Sequence, residues 1–120
     1  MKKHVLVISH GSRDASANND FKNLVGLYRK KHPTWVIAHA FLEMTEPTIP
    51  QSLEILAETA KEIFVLPLFL FQARHVKEHI PEIIRNFQKE NPKVKIKLGK
   101  PLGPEPKLLN LLDERLKQTR

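Results

Sequence analysis

Four times along this chain of 120 residues, a short apolar run rich in β-branched side chains gives way to a longer segment whose apolar residues recur at helical spacing. That alternation constrains the fold more than any other feature. Strands separated by helix-length segments pair in parallel, with the helices packed on the sheet as crossovers. Lys3 to Ser9 reads as the first strand, buried on both faces, and is ended by His10-Gly11-Ser12. Phe21, Leu24, Val25 and Tyr28 then mark an amphipathic helix over Asp14 to Lys31, closed before Pro33. Trp35 to Leu42 is the second strand and ends on Glu43. Thr48-Ile49-Pro50-Gln51 has the form of a capping box with an early proline, opening a helix whose face carries Leu53, Leu56, Ala57 and Ala60. Ile63 to Phe71, the most apolar segment, reads as the central strand, with Pro67 marking a bulge or an irregular exit.

Ile80, Ile83, Ile84 and Phe87 mark a third helix, and Pro81 is tolerable only in its first turn, which places its start near His79. Lys93 to Leu98 alternates lysine with Val, Ile and Leu, as a half-exposed edge strand does. Leu108, Leu109, Leu111, Leu112 and Leu116 mark a last helix. The expected architecture is an α/β fold over residues 1–120 as one domain: a four-stranded parallel sheet with helices on both faces. The common strand order 2-1-3-4 puts the ligand-binding crevice at the carboxyl ends of strands one and three.

Those carboxyl ends carry four groups able to bind metal or move protons: His10, Glu43, His75 and His79. His10 is either a turn-filling polar residue or a ligand and proton acceptor, since a neutral imidazole does both near physiological pH. Glu43 directly follows an apolar strand, whereas Glu46 lies farther into the loop. His75 and His79 would share a face if one helix held both, but a helix beginning near His79 leaves His75 in a loop, and His79 is then either a first-turn residue or an auxiliary ligand. His39 reads as a core or edge-strand histidine, and His4 and His32 as surface residues.

The chain has no cysteine, so any metal must be held by imidazole, carboxylate or carbonyl groups. A formal charge of +7 favours anionic partners. With one Trp and one Tyr there is no interleaved aromatic platform for nucleic acid, which is not an expected partner. No apolar stretch approaches the roughly 18 residues of a membrane span, and no export signal is evident, so the cytoplasm is the expected compartment. Neither a glycine-rich phosphate loop nor a G-x-S-x-G elbow is present.

Several blocks in order carry a family resemblance: His10-Gly11-Ser12-Arg13-Asp14 with Ala17-Asn18, Phe41-Leu42-Glu43 with Pro47-Thr48-Ile49-Pro50, Val65 to Leu70, His75-Val76 with Ile80-Pro81, and Pro101-Leu102-Gly103-Pro104. Together they resemble the small-form sirohydrochlorin cobaltochelatases among the class II chelatases. The resemblance implies a ferrochelatase-like half and a lyase that inserts a divalent metal into sirohydrochlorin for cobalamin, siroheme or nickel-tetrapyrrole synthesis. Cobalt is the first expectation for that metal, with nickel and iron as alternatives. Carried over by position, the family's metal-binding histidines fall on His10 and His75 and its strand-two acid on Glu43. Ser12, Arg13 and Arg74 are expected to bind the polycarboxylated substrate. Larger relatives have two such halves facing one cleft, which implies a homodimer here. No cofactor is expected beyond the metal substrate.

The chain departs from the family pattern at Gln72-Ala73-Arg74, where glycines are common, and at His79, where an acid that would cap helix three is common. Two rivals are a non-catalytic carrier of metal or tetrapyrrole, using the same rim, and a histidine phosphatase-like enzyme with His10 as nucleophile. In the latter class an arginine precedes the His-Gly pair, whereas here Ser9 does.

Overall fold

The computed structural model describes residues 2–119, and of His75 the backbone alone. Strands β1 (His4–Ser9), β2 (Val36–Phe41), β3 (Glu62–Pro67) and β4 (Lys95–Leu98) alternate with helices α1 (Ala15–Lys31), α2 (Ile49–Ala57), α3 (Arg74–Glu90) and α4 (Leu108–Gln118). The strands form one parallel sheet in the order β2-β1-β3-β4. Both inner strands belong to the expected pair, and β4 is the expected edge.

The two sheet faces have separate cores. Leu6, Ile8, Ala40, Ile63 and Val65 point to one side and pack under Leu53 and Leu56 of α2 and Val76, Ile80, Ile84 and Phe87 of α3. Val5, Val7, Ile37 and Phe41 point to the other and pack under Phe21 and Val25 of α1. Side chains alternate along each strand, so an inner strand is apolar on both sides to satisfy both layers, as Val5 to Ile8 of β1 are. Hydrogen bonds from side chains tie helices to strands: Arg29 donates to the Ile37 carbonyl (2.9 Å), Ser52 to the His39 carbonyl (2.7 Å), and Gln88 accepts from the Ile96 N–H (3.2 Å). The capping box of α2 forms as its sequence predicts, with the Gln51 N–H donating to the Thr48 hydroxyl (3.3 Å) and the Thr48 N–H to the Gln51 side chain (2.8 Å).

Four expectations need correction. The third strand ends at Pro67, not Phe71. Helix α3 starts at Arg74, with Ala73 as an N-cap that makes no side-chain bond, so Pro81 lies inside the helix and His79 is not its cap. Burial of Val76 and Ile80 against the sheet holds the early turns in place, and the Lys77 carbonyl that Pro81 cannot serve belongs to an exposed residue, where water can satisfy it. His4 is buried at 7% exposure, because β1 is paired on both sides from its first residue. Its Nδ1–H donates to the Lys2 carbonyl and its Nε2 accepts from the Thr59 hydroxyl, each at 3.1 Å. His32 is half-buried rather than a free surface residue, and stacks on Trp35 with ring centroids 3.6 Å apart.

Candidate functional site

The carboxyl rim of the sheet is assembled by strand pairing that runs past the strands themselves. Beyond the Ser9 and Phe41 register, the Leu42 N–H donates to the Ser9 carbonyl (2.8 Å) and the Glu43 N–H to the His10 carbonyl (3.0 Å). The pairing therefore runs one residue past β1, to His10, and two past β2, to Leu42 and Glu43, and so takes in both the histidine and the acid. Gly11 at φ 94° then turns the chain into the loop before α1; a Cβ there would collide with the Glu43 carbonyl. Met44, at φ 74°, turns the other chain away.

With the backbones fixed, the side chains meet: His10 Nε2 is hydrogen-bonded to Glu43 Oε1. An ionised carboxylate only accepts, so Nε2 carries the proton and Nδ1 is the lone-pair nitrogen of the neutral ring. The two side chains are 45% and 50% exposed, so the pair is open to a ligand from the rim. Phe69, from the exit of β3, meets the His10 ring edge-on with centroids 6.2 Å apart and gives the site an apolar wall.

The loop between His10 and α1 is held by a residue that sequence reasoning quoted but gave no role. Asn18 clamps Ser12 from both sides, its amide donating to the Ser12 carbonyl (2.8 Å) and its Oδ1 accepting the Ser12 N–H (3.0 Å). The Ser12 hydroxyl accepts from the Asp14 N–H (3.0 Å), which leaves its own O–H to donate to a ligand. Asp14 caps α1 through Ser16, whose hydroxyl and backbone N–H hold the carboxyl below the usual carboxylate range. Arg13 is exposed beside this loop. An asparagine in the first turn of α1 was the available signal for the clamp, since such side chains bond local backbone readily.

Across the rim, Arg74 opens α3 with its side chain 94% exposed and a long 3.8 Å contact to Glu78. His75 and His79 share α3 four residues apart, so the backbone gives the common face that a later helix start would have removed. The expected role of the His75 side chain lies outside the described residues. His79 is exposed and does not converge with the His10–Glu43 pair into a metal-binding group. Among the described residues no group of three or more His, Asp or Glu side chains converges, so the fold itself brings together two of the four rim candidates, His10 and Glu43. His39 lies away from the rim on edge strand β2, against Phe21 and Phe41, and burial pushes its imidazole below the ordinary value, with Arg29 and Lys22 acting the same way. Among the described residues no helix is long and apolar enough to cross a membrane.

Chemically, the rim offers an imidazole whose Nδ1 has no hydrogen-bond partner among the described residues, a carboxylate that orients it, an apolar wall and two exposed arginines. A carboxylate that receives one ring N–H fixes the tautomer and raises the basicity of the other nitrogen, the arrangement that metal-binding histidines use. Compared with known proteins, residues 4–119 match the family model CbiX. A sirohydrochlorin cobaltochelatase of Methanococcoides burtonii is 32% identical over 92% of this chain and 92% of its own. A sirohydrochlorin ferrochelatase of Priestia megaterium is 32% identical over 96% of this chain and 44% of its own. The chain spans about half the length, or less, of the first curated relatives it matches. The sirohydrochlorin chelatase SirB of Bacillus subtilis subspecies spizizenii, solved in complex with cobalt, superimposes with a TM-score of 0.90 at 32% identity, over 98% of this chain and 51% of that one.

Proposed function

The chain belongs to the CbiX family, and from that membership we propose that it is a chelatase inserting a divalent metal into sirohydrochlorin, working as a pair of identical copies whose rims face one cleft. The observation that carries the reading is the His10–Glu43 pair, fixed at the ligand-binding edge of the sheet by extended strand pairing.

Insertion requires an incoming cation to exchange water for ring nitrogens while the pyrrole N–H groups lose their protons. His10 supplies a borderline nitrogen donor and Glu43 a hard oxygen donor. Both suit cobalt, nickel and iron, and neither binds so tightly as a thiolate would, so release to the ring is feasible. Once the metal has left, the same pair can take a proton, with Glu43 stabilising the imidazolium. His75, on the backbone of α3 across the rim, is the proposed second histidine, with His79 one turn beyond it as an auxiliary ligand. Arg13 and Arg74, both exposed, and the Ser12 hydroxyl are the proposed partners for carboxylates of the substrate, and the charge of +7 would steer a polyanion inward. The reading needs no cofactor beyond the metal substrate and places the protein in the cytoplasm.

Anaerobic insertion assays followed by the visible spectrum of the macrocycle, run in parallel with cobalt, nickel and ferrous iron, test it. Turnover well past one equivalent per site is expected with at least one metal. His10→Ala should lower the rate at least about 100-fold, and Glu43→Gln about 10–100-fold, the range for removing a partner that orients a ligand, with circular dichroism unchanged. Binding without turnover would make the protein a carrier. Metal-independent hydrolysis of phosphate esters through a phosphohistidine would replace the reading altogether.

A further inference from the structure

The β3–β4 side of the rim is extended much as the β1–β2 side is. The Gly99 N–H donates to the Val65 carbonyl (2.8 Å) and the Leu102 N–H to the Phe69 carbonyl (2.9 Å), so the chain leaving β4 stays fastened to the chain leaving β3. Gly103 completes the seam: it is buried, and a Cβ there would collide with the Leu70 carbonyl and press on the Phe71 ring. The seam and the start of α3 frame a pocket of about 410 Å³ whose walls include Phe71, Gln72, Lys77 and Lys100.

Phe71 is 74% exposed, more than any other large apolar side chain among the described residues. No acid lines the pocket, and among the described residues neither Lys77 nor Lys100 makes an ion pair, whereas Lys97 of β4 is held by Glu62 at 3.2 Å. Lys77 also stands in the first turn of α3, where the helix dipole disfavours a cation and no acid offsets it. Carboxylates would neutralise the two lysines, and a flat ring would cover the bare aromatic face. The pocket has room for one substituted pyrrole ring and not for a whole tetrapyrrole. Its place along the chain fits the same molecule. Phe69 meets the His10 ring and Phe71 walls the pocket, so the backbone at the two sites is at most about 7 Å apart, within the span of one macrocycle.

We propose that this pocket is the subsite for one pyrrole ring of the tetrapyrrole, with Phe71 stacking on the ring and Lys77 and Lys100 pairing with its two carboxylate arms while the centre of the macrocycle faces His10. The subsite rests on the chelatase reading above and names the residues by which the chain selects a heavily carboxylated ring. Because it grips the edge of the macrocycle and touches neither the metal nor the ring nitrogens, it binds ground state and transition state alike, and its loss falls on KM rather than kcat.

Steady-state insertion kinetics with the full chain test it. Lys77→Ala and Lys100→Ala should each raise KM for sirohydrochlorin about 10-fold, as loss of a charge-assisted bond does, with kcat and the KM for metal unchanged. Phe71→Ala should raise it about 5-fold, and Phe71→Tyr should restore it. All three side chains are exposed, so circular dichroism should not change. Lys89→Ala with Lys93→Ala removes as much charge outside the pocket and should leave KM near the wild-type value, which separates a local contact from general steering. Uroporphyrin should compete with sirohydrochlorin more tightly than coproporphyrin, which has half its carboxylates, and Lys77→Ala with Lys100→Ala should abolish that preference. A KM that moves no further than in the control pair, or a fall in kcat at constant KM, would overturn the subsite and leave the chelatase reading standing. Titration of the metal-free macrocycle, followed by its visible absorbance, covers the reverse case: tight binding without turnover removes the chelatase reading, and weakening of that binding by the two lysine variants upholds the subsite.

Discussion

His10 and Glu43 come from strands separated by a whole helix, and they meet because β1–β2 pairing continues past the strands to His10 on one side and Glu43 on the other. Gly11 makes that continuation possible. Gly11→Ala should cost about 1–3 kcal/mol from the left-handed backbone alone. The added methyl must also displace the Glu43 carbonyl, so urea denaturation should show the loss and insertion rate should fall further than stability. His39 gives a pH signature of its own. Its imidazole is held below the ordinary value of about 6.5, so between those two values the unfolded chain binds more protons than the folded one. Stability therefore rises with pH through that window and is lost as pH falls below about 6.5, levelling off under the folded value. Thermal melts across pH 5 to 8 should show this slope, and His39→Gln should flatten it. Strand ends made the places of His10 and Glu43 legible in the sequence, because a residue following an apolar run must emerge at the rim. Their mutual bond was not legible, since register between β1 and β2 depends on how α1 packs. His4 illustrates the opposite failure: it follows two lysines and looks like a polar tail, yet pairing on both sides buries it and Thr59 satisfies its ring.

Among the elements, α2 is the one whose start was written most fully in local sequence. Thr48 and Gln51 satisfy each other's backbone N–H groups, and Thr48→Ala should cost about 1 kcal/mol, measured as a shift of the urea midpoint with unchanged slope. Helix α3 shows where local rules stop. Proline's lost hydrogen bond argues for a start near His79, but that cost falls on one exposed carbonyl, while Val76 and Ile80 bury two apolar side chains against the sheet at about 1.5–3 kcal/mol each. Burial outweighs the lost bond, the helix begins at Arg74, and His75 and His79 come to share it. Pro67 acts as expected of a proline, ending β3 where its missing N–H would interrupt the ladder.

At the scale of the whole molecule, order of elements, parallel pairing and the side on which the strands' carboxyl ends gather were all determined by the sequence, because periodicity and turn chemistry are local properties that survive without the rest of the fold. So were the chemical limits: no thiolate ligand and an excess of positive charge that suits a polyanionic substrate. Tertiary structure alone decided which rim groups touch, that Asn18 braces the loop beneath them, that α3 runs back to Arg74, and that α4 buries none of its residues. Each of these depends on contacts between residues far apart in the chain, where the gain from burying apolar surface outweighs local preference or, for α4, finds no surface of its own to act on.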